Sequence, residues 1–327
     1  MKNRKTLSFI SSNYNHAHYL EEALEALTSQ AYPPIEALIV DDASTDNSVE
    51  ILERFAKKYP YIKVIKNEQN LGAIVNVRKF QDTLKGEYFH SHGSDDMVLP
   101  GFYEKSMDLL TRYPHAGLCL VDIIFVDEKG DRIGEERFHL SDTPRYFSPD
   151  EVVEVLRKKM ITPAGVNSIY KRSAFIGVGG HIPELKSYSD FFPTLVLAFR
   201  YGICYIPEPL VVFRLNQTQY SAKLFKDKKA HLEIINHILN LLNSPQYSDV
   251  RPRFKRSLVL AYLFSPVIGV LLRNPDFRYY LSLKLILRTC WRTIKKKINP
   301  HLPLFLKNVY YYFRNINSKR ILRSSLK

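Results

Sequence analysis

Two adjacent carboxylates, Asp95 and Asp96, lie at the end of an aromatic, β-like run within Gly86 to Pro100, GEYFHSHGSDDMVLP. A hard divalent cation such as Mg²⁺ or Mn²⁺ takes oxygen ligands and is usually held by one or two carboxylates plus substrate phosphates. The same pair in an ordinary surface turn would simply be solvated, because acids are mostly exposed. What gives it weight is the company it keeps along the chain. His90 and His92 alternate just before it, share one strand face and offer a further ligand, although packed strand histidines are commoner.

The elements that must position these acids follow from periodicity. Leu7 to Ser12 reads as a buried strand breaking into the polar turn Ser12-Asn13-Tyr14-Asn15, and Leu20, Ala23, Leu24 and Leu27 then mark one face of a helix. Ile35 to Val40 is a second strand, apolar throughout as in a sheet covered on both sides. It ends in Asp41 to Ser48, a loop dense in acids and helix-capping residues. A helix with Val49, Leu52 and Phe55, a strand at Ile62 to Ile65, the loop Asn67 to Gly72 and a helix from Ala73 to about Leu84 lead into the acidic stretch. Strands joined by single helices predict right-handed βαβ crossovers and a mostly parallel sheet. Ligands in such sheets gather beyond the carboxyl ends of the strands, so Tyr14, the Asp41–Asp46 loop, Asn70-Leu71-Gly72 and Asp95-Asp96 are expected to face one crevice. Farther on, a helix at Gly101 to Tyr113, a buried strand at Ala116 to Val126, a polar loop at Asp131 to Pro149 and a helix at Glu151 to Met160 are predicted. A short strand then ends near Tyr170, a glycine-rich turn spans Gly177 to Ile182, and a strand runs from Tyr205 to Arg214.

The chain of 327 residues, 45% hydrophobic, is long enough for a domain of about 200 residues and an appendage. Its formal charge of +14 belongs to the tail, where residues 250–327 hold 18 Lys and Arg against the single acid Asp276. Cys119, Cys204 and Cys290 are widely spaced, odd in number and without a CxxC pair, as expected of reduced cytosolic thiols rather than a zinc site. The apolar run near the N-terminus is too short for a signal peptide.

In order and spacing, Ser12-Asn13-Tyr14-Asn15, Val40-Asp41-Asp42-Ala43-Ser44-Thr45-Asp46, Asn70-Leu71-Gly72, Gly86-Glu87-Tyr88 and Ser94-Asp95-Asp96 resemble the motif set of family 2 glycosyltransferases. The likeness covers roughly residues 5–222. It implies a GT-A fold, an α/β Rossmann-like and mostly parallel sheet flanked by helices, together with a nucleotide-sugar donor, a divalent metal (Mn²⁺ or Mg²⁺) and an inverting single displacement. By the same resemblance Tyr14 and Asp42 hold the base, Asn70 and Gly72 belong to the donor site, and Asp95 and Asp96 serve ribose and metal, with Asp96 favoured for the metal. Asp46 is expected to cap a helix. Arg78 and Arg214 lie within reach of the diphosphate. Ser187-Tyr188-Ser189-Asp190 resembles the family's Glu-Asp motif and makes Asp190 the general base, which an acceptor hydroxyl requires because it is a weak nucleophile until its proton is taken. Three positions depart from the pattern: Gly93 where many relatives have an acid, Ser189 for Glu, and Asn216 where His is common. They motivate a rival reading, a non-catalytic nucleotide-sugar-binding or scaffold protein. A transferase acting on polyprenyl phosphate is a variant within the class.

The expected organisation is a catalytic domain over 1–225 and a helical, basic, aromatic-rich region over 226–327. The acceptor is expected to be a glycan or lipid-linked saccharide of cell-surface polysaccharide synthesis, and the protein a cytoplasmic one, peripheral at the inner face of a bacterial plasma membrane. Ser257 to Leu272 is 16 uncharged residues interrupted by Pro266, short of the roughly 20 that span a bilayer. The mixture of leucine, aromatics and cations through Lys295-Lys296-Lys297 and Tyr310 to Arg314 suits helices lying on an anionic membrane surface through residues 250–327, or a small bundle with a basic outer face. Nucleic acid as a partner lacks a recognisable binding module.

Overall fold

The computed structural model describes residues 4–159, 161, 165–215 and 227–298. Two compact units divide the chain. The first comprises 1–138, 143–152 and 161–227, the second 139–142, 153–160 and 228–327.

The first unit is built on a sheet of ten strands: β1 (Leu7–Asn13), β2 (Glu36–Asp41), β3 (Ile62–Lys66), β4 (Tyr88–Ser91), β5 (Met97–Val98), β6 (Leu118–Val126), β7 (Arg132–Glu136), β8 (Arg145–Phe147), β9 (Ser168–Lys171) and β10 (Ile203–Arg214). The main order is β3-β2-β1-β4-β9-β6-β10-β5, with β7 on β6 and β8 on β10. β1, β2, β3 and β4 pair in parallel, β9 is inserted antiparallel between β4 and β6, and β6 pairs in parallel with β10. Six strands therefore run one way, and Asn13, Asp41, Lys66, Ser91, Val126 and Arg214 end on the same edge.

The apolar periodicity explains the packing. All six residues of β2 are buried, as a run covered on both faces requires. In α1 (Ala17–Thr28) the buried residues are Leu20, Ala23, Leu24 and Leu27, the predicted stripe. Burial of each large apolar side chain contributes about 1.5–3 kcal/mol. α2 (Ser48–Lys58), α3 (Ala73–Phe80), α4 (Phe102–Arg112), α5 (Pro149–Lys158), α6 (Arg172–Gly177) and α7 (Phe191–Tyr201) complete the unit's helices, α5 continuing into the second unit. The segment read as a polar loop between Asp131 and Pro149 carries the short strands β7 and β8. β8 joins the sheet through its pairing with β10 and through buried Phe147, whereas the exposed, charged β7 lacks the apolar alternation that would announce a strand.

The second unit consists of α8 (Lys228–Asn243), α9 (Arg251–Ser257), α10 (Phe264–Arg273) and α11 (Leu283–Ile298), with 3₁₀ turns between them. Much of Ser257 to Leu272 is core: Val259, Leu260, Ala261, Leu263, Val267 and Leu271 are buried, while Leu272 is 53% exposed. Positive φ at Leu258 (59°) and Phe264 (56°) breaks the segment into short pieces that fold back into a core. Among the described residues no helix is long and apolar enough to cross a membrane. Asn216, Gln217 to Lys223 and Tyr310 to Arg314 lie outside the described residues.

Gly86 fixes the register of β4 against β1. Its amide donates to Ser8 Oγ (2.8 Å), which donates to buried Glu36 Oε1 (2.7 Å). A Cβ at Gly86 would lie 2.6 Å from both the Ser8 nitrogen and the Tyr88 carbonyl oxygen, backbone atoms on each side, and 2.7 Å from Ser8 Oγ. Gly86→Ala is expected to cost about 1–3 kcal/mol of stability by urea unfolding; an unchanged midpoint would show that the β1–β4 contact relaxes freely.

Candidate active site

Three loops at the carboxyl edge are held together by buried acids. Asp41 Oδ1 accepts from the Ser44 amide (2.9 Å), and its Oδ2 accepts from Ser44 Oγ (2.7 Å) and Asn13 Nδ2 (2.9 Å). Asp42 Oδ1 accepts from Asn67 Nδ2 (2.8 Å) and the Leu71 amide (2.9 Å), and Oδ2 from the Gly72 amide (2.7 Å). Burial raises the Asp42 pKa, but the donors Asn76, Leu71, Asn67 and Gly72 outweigh it and hold the carboxyl below its ordinary value. Asp46 accepts from the Ala17 amide (2.9 Å) and the Ser48 amide (3.0 Å), capping α1 and α2 at once. Gly72 adopts φ 92°, outside the range of most side chains, where the loop turns into α3. Asn70 is exposed, and Tyr14 presents its ring beside this assembly with 43% of its surface accessible.

Asp95 and Asp96 follow β4 and are 8% and 4% exposed. Asp96 Oδ1 accepts from the backbone amide of Arg214 (3.0 Å), extending the β5–β10 ladder by one rung. Burial and the neighbouring Asp95 push the Asp96 carboxyl well above its usual range, against the pull of Arg214. A Cβ at Gly93 would meet Asp95 Oδ1 at 2.6 Å and Asp96 Oδ2 at 3.7 Å. Both carboxylates thus lean over this glycine, and a bulkier residue would displace Asp95. Two crowded carboxylates, one resisting ionisation through burial and then through its like-charged neighbour, are a donor set that a divalent cation would relieve. Among the described residues no group of three His, Cys, Asp or Glu is placed to hold a metal ion. The pair fits a cation whose remaining ligands are phosphate oxygens and water.

The histidines do not join that pair. His90 is fully buried, with Nδ1 3.0 Å from the Tyr103 hydroxyl and Nε2 2.9 Å from the Val166 carbonyl oxygen, and burial drives its pKa well down. His92 Nδ1 lies 2.6 Å from the Gly93 carbonyl oxygen, and burial lowers its pKa to about 4.

Asp190 stands at the start of α7 without a side-chain capping bond to the helix. Its Oδ2 accepts instead from the Gly165 amide (2.7 Å). Gly165 in turn abuts β4, since a Cβ there would lie 2.9 Å from the Ser91 carbonyl oxygen. One glycine therefore brings Asp190 to the strand end that carries Asp95 and Asp96. Burial raises the Asp190 carboxyl above its usual value, opposed by the amides of Gly165, Asp190 and Phe191.

Two cations expected near a diphosphate are engaged within the protein. Arg214 is 2% exposed; Nε donates to the Asp95 carbonyl (3.2 Å), Nη1 to the carbonyls of Asp127 (3.2 Å) and Glu128 (3.4 Å), and Nη2 to Glu22 Oε2 (3.2 Å). Its guanidinium also lies 4.3 Å from the centre of the Tyr19 ring. Arg214 is thus bonded to α1, to the acidic loop and to the turn after β6, and its own amide donates to Asp96. Arg78, in the last turn of α3, pairs with Asp82 at 3.0 Å. Sequence reasoning missed Gly165, Asn67 and Asn76, which orient Asp190 and Asp42; only the position of Asn67 directly after β3 hinted at a role.

The model of the family described as glycosyl transferase family 2 matches residues 8–179. An uncharacterised glycosyltransferase of Haemophilus influenzae is 31% identical over 115 residues, 35% of this chain and 36% of that protein. An uncharacterised protein of Mycobacterium tuberculosis H37Rv is 30% identical over 234 residues, 71% of this chain and 65% of that protein. The chain thus spans about a third and just under two thirds of these relatives. Among solved structures, Staphylococcus aureus TarS 1-349 in complex with UDP-GlcNAc superposes with TM-score 0.61 at 18% identity, covering 91% of this chain and 93% of that one. The mannosyltransferase PcManGT of Pyrobaculum calidifontis, in complex with GDP-Man and Mn²⁺, gives TM-score 0.53 at 17% identity over 90% of this chain and 89% of that one. With the family model matching more than half of the chain and the sheet carrying the GT-A architecture, this protein belongs to glycosyl transferase family 2.

Proposed function

We propose that the chain moves a sugar, with inversion, from a nucleotide-sugar donor to a hydroxyl of a glycan or lipid-linked saccharide acceptor in cell-surface polysaccharide synthesis. The observation that carries this reading is the Asp190 carboxyl, oriented through Oδ2 by the Gly165 amide and tied by that glycine to the edge where Asp95 and Asp96 sit. Donor use is supported by the complexes of TarS with UDP-GlcNAc and of PcManGT with GDP-Man.

In this mechanism Tyr14 stacks on the nucleobase. Asp42 acts on the base by holding the 67–72 loop, so Asn70 and Gly72 line the donor side. Asp190 takes the proton of the acceptor hydroxyl as its oxygen forms a bond to the anomeric carbon, and the bond from that carbon to the diphosphate oxygen breaks on the opposite face. A carboxyl raised by burial is a stronger base than a solvated one, which suits this step. Asp95 and Asp96 would hold the Mn²⁺ or Mg²⁺ ion, which when bound offsets the charge on the departing nucleoside diphosphate. Arg214 contributes indirectly by keeping that pair in place. The Arg78–Asp82 pair is exposed and would have to open for Arg78 to reach a phosphate.

Asp190→Asn is expected to lower kcat by about 10²–10⁴-fold while leaving donor affinity, measured by calorimetry with UDP-sugars and GDP-sugars plus Mn²⁺, unchanged. Undiminished turnover would remove Asp190 from the chemistry and favour the binding-protein reading. The acid limb of kcat/KM in the parent enzyme should lie above the ordinary carboxylate range, since the raised pKa means that the base is lost by protonation at higher pH. Arg214→Met is expected to lose about 1.5–3 kcal/mol in urea unfolding and to weaken Mn²⁺ binding; retained stability would contradict its role as the clamp on Asp95 and Asp96.

A further inference from the structure

Helix α11 turns the wrong face to water. Its inner side packs through Leu285, 2% exposed, and Thr289, fully buried, while Arg288 pins its rotation. The Arg288 guanidinium donates to the carbonyls of Leu156 (2.7 Å), Arg157 (2.9 Å), Lys159 (3.1 Å) and Ser257 (3.3 Å), so it caps the end of α5 from within the same unit. Arg292 lies over Tyr262 (4.7 Å) and Phe264 (4.8 Å). With the helix held this way, Leu283, Leu287, Trp291 and Ile294 project outward at 71%, 61%, 59% and 48% exposure. Their spacing of four, four and three residues places them on one stripe. An amphipathic surface helix ordinarily buries such a stripe, and a contiguous exposed apolar patch marks an interaction site.

The charge says what covers it. Residues 283–298, LKLILRTCWRTIKKKI, contain six cations and no acid, and residues 250–327 have 18 Lys and Arg against one acid. Besides Arg288 and Arg292, which are engaged within the unit, the helix carries four lysines, so a second copy would set two basic helices side by side. Nucleic acid would pair with the cations and leave the leucines and tryptophan in water. An anionic bilayer accepts both parts, apolar side chains at the acyl boundary and lysines at the phosphates, with tryptophan at headgroup level. Sixteen helical residues reach only ~24 Å, short of a ~30 Å hydrocarbon core, so the helix lies in the interface rather than crossing it.

We propose that the Leu283–Leu287–Trp291–Ile294 stripe of α11 docks the protein onto anionic lipid. This inference stands apart from the sugar-transfer reading, because its measurement needs neither donor nor acceptor. Trp291 is the only tryptophan in the chain, so its emission reports on this face alone. The full chain is mixed with vesicles of phosphatidylglycerol or of phosphatidylcholine, and emission, acrylamide quenching and co-sedimentation are read. Phosphatidylglycerol is expected to shift the emission to the blue, protect it from acrylamide and sediment the protein, whereas phosphatidylcholine does so far less. The exposed-site variant L287Q/I294Q should bind at least roughly tenfold more weakly with an unaltered circular-dichroism melt. The proposal is overturned by emission unmoved on phosphatidylglycerol, by undiminished binding of the double variant, or by a larger shift with single-stranded DNA. It is equally overturned if the emission is already blue and acrylamide-protected without vesicles, since the stripe would then be covered by a second copy or by residues 299–327.

Discussion

A buried guanidinium governs the acidic end of this sheet. Removing a cation from water is costly unless its donors are satisfied. Arg214 meets that condition with three backbone carbonyls, one glutamate and the face of a tyrosine. Because its partners come from α1, from the acidic loop and from the turn after β6, one side chain sets the mutual position of three segments remote in sequence. Its backbone amide does the rest by donating to the Asp96 carboxylate just beyond the β5–β10 pairing. Two neighbouring carboxylates that would otherwise repel one another and relax outward are thereby kept close. Burial first, and the neighbouring Asp95 second, hold the Asp96 carboxyl well above its ordinary value.

The other acids at this edge act mainly on the backbone. Asp41, Asp42 and Asp46 each accept amide hydrogens from a loop that follows a strand, or from a helix start, so three crossings are fastened by side chains that a charge count alone would assign to solvent. Rigid loops of this kind lower the ordering cost of ligand binding. Tyr14 is left as a large exposed group on this fastened rim.

Much of the fold was legible because periodicity records burial. The stripe of α1 and the unbroken apolar run of β2 have only one comfortable environment each, and alternating strands and helices leave few topologies. The location of the acidic groups was legible for a related reason, since side chains just past parallel strands must gather on one edge. Their partners were not. Asp96 and Arg214 are separated by 118 positions, and nothing local to Gly165 advertises a bond to Asp190. Arg78 and Arg214 carry the same charge in the sequence, yet one is half-exposed and the other sealed. The strand β7 depends on a neighbour's backbone instead of its own pattern, β8 is too short to show one, and much of the apolar run at 257–272 became core only because the chain reverses at Leu258 and Phe264.

The antiparallel insertion of β9 has a consequence for how the chain is made. β1 to β4 can pair as soon as residue 91 has emerged, but the outer edge of β4 has no partner until Ser168–Lys171 has been synthesised. At ordinary elongation rates that interval is on the order of ten seconds. Throughout it a strand with unmet backbone donors and acceptors stands open beside other nascent chains, a standing invitation to edge-to-edge association. Chaperone dependence and inclusion-body formation of fragments that stop short of Lys171 are the natural outcome of this topology.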